Sequence, residues 1–436
     1  MKALAEFFLY FSLVILSCLT AGCTSEVDII GGTPETPENP QANDPNRRSV
    51  VISLQNKLIL VNGTPESRTI TRDGIAEEDE NRIESFDIYA FGSDKEEGPY
   101  TFQERFAYRS DAGTLPAGAS PIDLKADEAA GKINVVFYPR KGLFTKFYCV
   151  ANQTEMDDAA GNTYTNYTPL QQSSQPQSSV PGDMVTSPGT PTESDFVKLN
   201  TPLLNSTGFN ADILLAPLPM SGANSQPTDL REYSMGTYVR LNVSLTRAVA
   251  RFDIVNDATK SHFTITDISM GNGRQGVTLF PIRPTGDVPA TNGQLITYPY
   301  RLFDGLNANA GTTTKAFYCY PCKAIDAGYL ILKGLYAMNL TDEKKEVSYR
   351  IPFERVTDGD GSLIEINHNH RYTVQITEAD PFELTANIRL VDWETGDYID
   401  DYEPDNGLET IAVADLLPVG ETTYDISTNI VTLALK

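Results

Sequence analysis

The chain has 436 residues and a formal net charge of −24, with 34 Lys and Arg against 58 Asp and Glu. That balance argues against nucleic-acid binding and against an electrostatic grip on anionic lipid. Three histidines, His262, His368 and His370, give metal-dependent and triad chemistry little to work with. An apolar content of 40% is adequate for cores, and the length suits two or three domains.

Lys2 precedes an apolar run from Phe7 to Leu19, then Thr20-Ala-Gly-Cys23. A basic start, a short apolar core and small residues describe an export signal over residues 1–22. The run is short for a bilayer span, which needs ~20 apolar residues. Ala21-Gly-Cys23 resembles a bacterial lipobox, with Cys23 as the lipid-carrying first residue of the mature chain. Thr20 stands where that motif usually has Leu, and Leu19 sits one place early. The alternative is an ordinary secretory signal cleaved near Gly22. Acyl chains at Cys23 would hold the chain to a membrane, since each buried CH₂ contributes ~0.8 kcal/mol. Residues 23–48 then form a tether, Pro-rich from Gly31 onward.

Ser49 to Val61 is rich in β-branched and apolar residues and reads as a half-buried strand. Asn62-Gly63 and Thr64-Pro65 are turn chemistry. Arg68 and Arg72 follow, then the acidic run Glu77-Glu-Asp-Glu80, which reads as a solvated face keeping the adjacent loop open. Order resumes at Ile83–Phe91, where alternate positions are apolar. Further strands are expected at Tyr100–Tyr108, Lys132–Tyr138 and Lys146–Asn152. Residues 153–200 are polar and low in complexity, and read as an exposed loop or an ordered excursion on the outer surface. Leu214–Gly222 brings the chain back, and 223–236 reads as a polar connector.

A second domain is expected from Thr237, opening on one long strand over 238–255, bent or paired in two halves. Strands are expected at His262–Met270, Lys315–Tyr320, Tyr329–Ala337, Glu346–Phe353, His370–Ile376 and Glu383–Asp392, closed by Trp393 as a core anchor. Past the acidic stretch Asp397–Asp405, the tail carries Leu408–Leu417 and Asp425–Lys436. Val431, Leu433 and Leu435 share one strand face. Apolar strands at a chain end need a partner, because an open edge templates association. The absence of a long amphipathic helix and the frequent Gly and Pro make the chain all-β, with sandwich-type sheets.

Three features have weaker chemical readings. Cys319-Tyr-Pro-Cys322 has redox spacing without the βαβ setting that activates a thiol, so a structural disulfide or two inert thiols is expected. The ligand set of an EF-hand fails around Asp358–Glu365, which reads as a tight turn. His368 and His370 lack a third ligand nearby and read as a strand entry. No cofactor, metal or catalytic constellation is expected.

Five features occur in order: the lipobox-like start; a strand followed by Arg72–Phe91; Tyr148-Cys-Val-Ala-Asn152; Leu218-Pro-Met-Ser-Gly222 with Leu245–Asp253 behind it; and Asn369-His-Arg-Tyr372 leading to Val391-Asp-Trp393. In these the chain resembles the fimbrillins, the lipoprotein pilins of Bacteroidales type V pili. The resemblance implies two tandem β-sandwich domains of transthyretin-like topology, at 73–236 and 237–396, with a donor-strand tail at 397–436. It implies that residues 49–72 are a propeptide strand and cleavable spacer, cut by an arginine-specific protease after Arg72, with Arg68 and Arg47/Arg48 as less favoured positions. The tail of one subunit, through Ile411, Val413, Ile430, Val431, Leu433 and Leu435, would fill the vacated groove of the next. The implied partners are other pilin subunits in a head-to-tail homopolymer, the outer membrane through the lipid anchor before assembly, and a host receptor. The implied location is the cell outer membrane and the extracellular fimbrium. The alternatives are a monomeric surface lipoprotein that binds glycan or host protein, and an anchor or tip subunit of the same pilus.

Overall fold

The computed structural model describes residues 39, 41–54, 59–60, 76–111, 114–127, 132–158, 163–165, 192–207, 211–231, 238–280, 294–305, 307, 311–339, 342–353, 363, 365–382, 384–392 and 431–435. Its principal elements are strands, as the β-branched and aromatic segments require. In chain order, the first group comprises β1 (Val50–Leu54), β2 (Ser85–Ser93), β3 (Thr101–Arg109), β4 (Ala119–Pro121), β5 (Asp123–Asp127), β6 (Lys132–Phe137), β7 (Phe144–Ala151), β8 (Met220–Asp229), β9 (Val239–Val243) and β10 (Thr246–Arg247). The second group comprises β11 (Ala250–Asn256), β12 (Phe263–Gly271), β13 (Arg301–Leu302), β14 (Gly311–Cys319), β15 (Tyr329–Tyr336), β16 (Lys345–Pro352), β17 (His370–Ala379), β18 (Leu384–Asp392) and β19 (Val431–Leu435).

The first group forms a four-stranded sheet, β9-β1-β6-β5, and a six-stranded sheet, β10-β8-β7-β2-β3-β4. Side chains from both sheets meet in one core: Val50, Ile52 and Leu54 of β1 and Val135 and Phe137 of β6 join Phe86 and Ile88 of β2 and Phe147 of β7. The second group forms a five-stranded sheet, β14-β11-β17-β18-β19, and a four-stranded sheet, β13-β12-β15-β16. Their shared core holds Phe252, Ile268, Leu330, Ile351, Tyr372 and Ile388. Each pair of sheets is thus a sandwich whose inward-facing residues alternate with outward ones.

The six-stranded sheet is covered on both faces. Every residue of β2 is buried, although its sequence alternation suits a strand with one wet side. The cover comes from the 153–200 excursion. Met156, Phe196 and Leu199 pack with Tyr89, Phe91, Phe102 and Tyr148 of the sheet, and with Leu279 and Phe280 from the second group. Glu193 at the start of a short helix (Glu193–Phe196) accepts from Lys146 Nζ at 3.0 Å and from the Tyr148 hydroxyl. The described ends of the excursion are therefore a packed lid.

Two expected boundaries change. The stretch expected as one long strand over 238–255 is three strands in three sheets: β9 and β10 pair with β1 and β8 of the first group, and only β11 enters the second. Residues 223–229 of the expected polar connector are the continuation of β8, a largely exposed strand paired antiparallel with β7. Its polar sequence reflects its position near the sheet edge.

Candidate functional site

β1 occupies an inner position, with a partner on each side. It runs parallel to β9, Val50 opposite Val239 through Leu54 opposite Val243, and antiparallel to β6, Val50 opposite Phe137 through Leu54 opposite Ile133. Val50, Ile52 and Leu54 are fully buried in the first core. On the other face Ser53 Oγ donates to Asn134 Oδ1 at 2.6 Å. Burying three such apolar side chains contributes ~1.5–3 kcal/mol each. Removing the strand would also strip hydrogen-bond partners from β6 and β9, at ~1–3 kcal/mol per buried group left unpaired.

Of the strand expected from Ser49 to Val61, Val50–Leu54 forms β1, and Ile59–Leu60 forms a two-residue parallel ribbon with Arg82–Ile83; residues 55–58 and Val61 lie outside the described residues. Arg47 and Arg48 lie just before β1 and are held in ordered structure. Arg47 Nη1 donates to Glu104 Oε2 at 2.7 Å and to the Tyr138 carbonyl at 2.6 Å. The Arg48 amide donates to the Pro139 carbonyl at 2.9 Å. A cut at either residue would also leave β1 on the downstream fragment. Arg68 and Arg72 lie outside the described residues, as do Cys23, Ile411, Val413, Ile430 and Trp393.

The acidic run is only in part the solvated face expected of it: Glu78 is exposed, but Glu77, Asp79 and Glu80 are held in ion pairs. Glu80 is completely buried, and its Oε2 lies 2.7 Å from Arg251 Nη1. Tyr318 donates its hydroxyl to Glu80 Oε1 at 2.6 Å. Arg251 also pairs with Asp253, Nε to Oδ1 at 2.7 Å, and Arg371 Nε lies 3.7 Å from Asp253 Oδ2. Lys315 Nζ reaches Glu77 at 2.7 Å and Asp79 at 2.8 Å. Arg247 Nη2 donates to Asn81 Oδ1 at 2.5 Å. Residues 77–81, which enter the first sandwich, are thus clamped by Arg251, Lys315 and Tyr318 of the second and by Arg247 of β10. Burial by itself would lower the Arg251 pKa, but the Asp253 and Glu80 charges raise it overall. Burial opposes ionisation of Glu77, yet Lys315 carries its carboxyl below the usual range. Sequence spacing missed this cluster. The available signal was charge inside an apolar run: Arg247, Arg251 and Asp253 interrupt a segment that otherwise reads as core, and buried charge requires partners.

Asn152 shows how the local sequence fixes the same junction. It takes φ 56°, in the left-handed region that Asn tolerates. Its Nδ2 donates to the carbonyls of Arg82 at 2.8 Å and Leu218 at 3.0 Å, and its Oδ1 accepts from the Glu84 amide at 2.9 Å. Asn369, also left-handed at φ 55°, accepts from Arg247 Nη1 at 3.3 Å and donates its amide to the Val249 carbonyl at 2.9 Å.

At the other end of the chain, β19 lies at an edge of the five-stranded sheet. It pairs antiparallel with β18, Val431 opposite Leu390, Leu433 opposite Ile388 and Leu435 opposite Ala386. Among the described residues the tail strand therefore has one neighbour, where β1 has two.

The remaining candidates stay chemically quiet. Cys319 and Cys322 are free buried thiols, the second of the two expectations for that pair. Burial pushes the Cys322 thiol up to about 12 and Cys319 well above its usual range. His368 is buried, and its carbonyl oxygen accepts from His370 Nδ1 at 2.7 Å. No group of three potential metal ligands occurs among the described residues.

No protein-family model matches the sequence, and no curated protein matches it. Solved structures do. The tip fimbrial protein Mfa3 of Porphyromonas gingivalis, with a C-terminal truncation, is 13% identical with a TM-score of 0.45, covering 80% of this chain and 100% of that one. A Bacteroides eggerthii protein assigned to cell adhesion is 13% identical with a TM-score of 0.41, covering 90% and 96%. The fimbrial anchor protein Mfa2 of P. gingivalis is 9% identical with a TM-score of 0.33, covering 81% and 100%.

Proposed function

We propose that this chain is a structural subunit of a surface fimbrium, polymerised by strand exchange after proteolysis. The observation that carries the reading is the place of β1: an inner strand, with Val50, Ile52 and Leu54 fully buried, followed by a segment that bears Arg68 and Arg72. Cutting after Arg72 would free β1 covalently and leave a groove of apolar pockets flanked by two unpaired strand edges. A strand donated by a neighbour restores both at once. Repeated head to tail, such a contact does not close and yields a filament.

In this reading residues 1–22 are the export signal and Cys23 carries the lipid that holds the precursor at the outer membrane. Residues 49–72 are the propeptide, 73–236 and 237–396 the two domains, and 397–436 the donor tail. The partners are further copies of the subunit, an arginine-specific protease and a host receptor, and the role is adhesion, without catalysis. The tail supports the donor role through a difference in pairing. Moving from the edge of β18 into the β1 groove would give the donated strand a second hydrogen-bonded neighbour.

The test is digestion of the purified full chain with an Arg-specific protease, followed by N-terminal sequencing and electrophoresis without boiling. A new N-terminus at Asp73 with SDS-resistant ladders is expected. Deleting residues 408–436 should abolish the ladders while leaving the monomer folded. Filaments whose subunits all retain Val50–Leu54 in place would refute the reading for a shaft subunit and would fit an anchor.

A further inference from the structure

We propose that the buried cluster around Glu80 and Arg251 determines where processing stops, by making Arg82 resistant to cleavage. The inference rests on the reading of residues 49–72 as a propeptide. Arg82 is the first arginine downstream of Arg72, ten positions further on. Its side chain is partly exposed, and among the described residues its strand pairing is to Ile59. That partner belongs to the segment which departs on processing. Once it has gone, the ribbon edge at Arg82 is open, and a cut there would remove Asp73–Arg82 from the mature chain.

A protease must draw several residues on both sides of the scissile bond into an extended strand. Around Arg82 the chain resists this on both sides. Upstream, residues 79–81 form a 3-10 turn, with the Glu80 amide donating to Glu77 O at 3.1 Å. Glu80 is locked by Arg251 and Tyr318, Asn81 by Arg247, and Glu77 and Asp79 by Lys315. Downstream, Asn152 holds the Arg82 carbonyl and the Glu84 amide. The clamps on Glu77, Asp79 and Glu80 come from the second sandwich and the clamp on Asn81 from β10 of the first, so protection of Arg82 depends on parts of the chain more than 160 residues away, Arg247 to Asn81 being separated by 166 positions. Cleavage of a folded chain follows the population of the locally open form. The acidic run thereby separates two arginines of equal chemistry into one that is cut and one that is kept.

The experiment uses the full chain and an Arg-specific protease, with quantitation of new N-termini at Thr69, Asp73 and Ile83. The unchanged chain should give termini upstream of Ala76 and almost none at Ile83. E80A should raise the Ile83 terminus about tenfold or more, as the open form gains population. Adding R82Q to E80A should remove that terminus. The milder K315A should give a smaller rise, and serves if E80A does not fold. I265A, which opens a cavity in the second core away from the junction, should leave the Ile83 fraction unchanged. The proposal is overturned if the unchanged chain is cut after Arg82 as readily as E80A, if E80A and K315A both leave Ile83 unproduced, or if I265A raises it equally. Absence of cuts upstream of Ala76 would instead count against the propeptide reading, while the Ile83 yield still reports on the clamp.

Discussion

At the scale of single residues, the decisive feature is charge placed where solvent cannot reach it. Arg251 and Asp253 are each 1% exposed and Glu80 is 0% exposed. Removing one member of such a group leaves the others uncompensated, which costs ~3–5 kcal/mol. R251M should therefore lower unfolding stability by about that amount, read from denaturant midpoints. K315A should cost no more than ~1 kcal/mol, because its pairs with Glu77 and Asp79 are a quarter to two-fifths exposed and solvent-screened. His368 gives a second expectation. Burial, with His370 nearby, lowers its pKa from 6.5 to about 4. The unfolded chain then binds the proton more readily, so stability contributed by neutral His368 is present above pH 6.5 and is lost as pH falls toward 4. Over that window the slope should be shallower in H368Q than in the unchanged chain, measured by thermal unfolding at stepped pH. Glu77, with its lowered pKa, adds acid sensitivity below its ordinary value of 4.5 in both proteins.

At the scale of elements, β1 and β19 differ in what they stand to lose. I52A removes a side chain from a fully buried site in a two-sided strand, so the unprocessed chain should lose ~2–5 kcal/mol. In processed, assembled material the same substitution should have no effect on filament stability, because under the proposed function the strand is absent; a comparison of SDS resistance with and without cleavage checks this. Gly222 illustrates a different constraint. A Cβ at this position would collide with the Ser244 carbonyl oxygen and approach the Val243 side chain. G222A should therefore destabilise the crossing of β8 beneath the turn between β9 and β10, lowering the thermal midpoint by several degrees. Most strands rich in Val, Ile, Tyr and Phe are legible from sequence because a pleated surface packs those shapes well. The polar β8 is not, since near an edge its exposed residues carry no burial signal.

At the scale of the whole molecule, the two sandwiches meet through several brackets. The acidic run docks on Arg251 and Lys315. Segment 199–204 runs beside 275–279, with the Thr201 amide donating to Val277 O at 2.8 Å and Leu279 to Leu199 O at 3.0 Å. Asn369 ties Arg247 to Val249. A junction built this way should make the pair unfold together. Calorimetry of the full chain is expected to give a single transition, splitting into two in R251M if the cluster couples them.

The sequence by itself determined the all-β class, the positions of the long apolar strands and the strand character of the segment before Arg68. These follow from local shape and alternation, which each stretch carries alone. Only the tertiary structure decided that β2 is buried on both faces, that β9 and β10 belong with β1, and that Glu77–Asn81 is a clamp. Those properties depend on partners as distant as Arg251, Lys315 and Tyr318. A carboxylate reads as solvated until the folded chain brings guanidinium and ammonium groups close enough to replace its water.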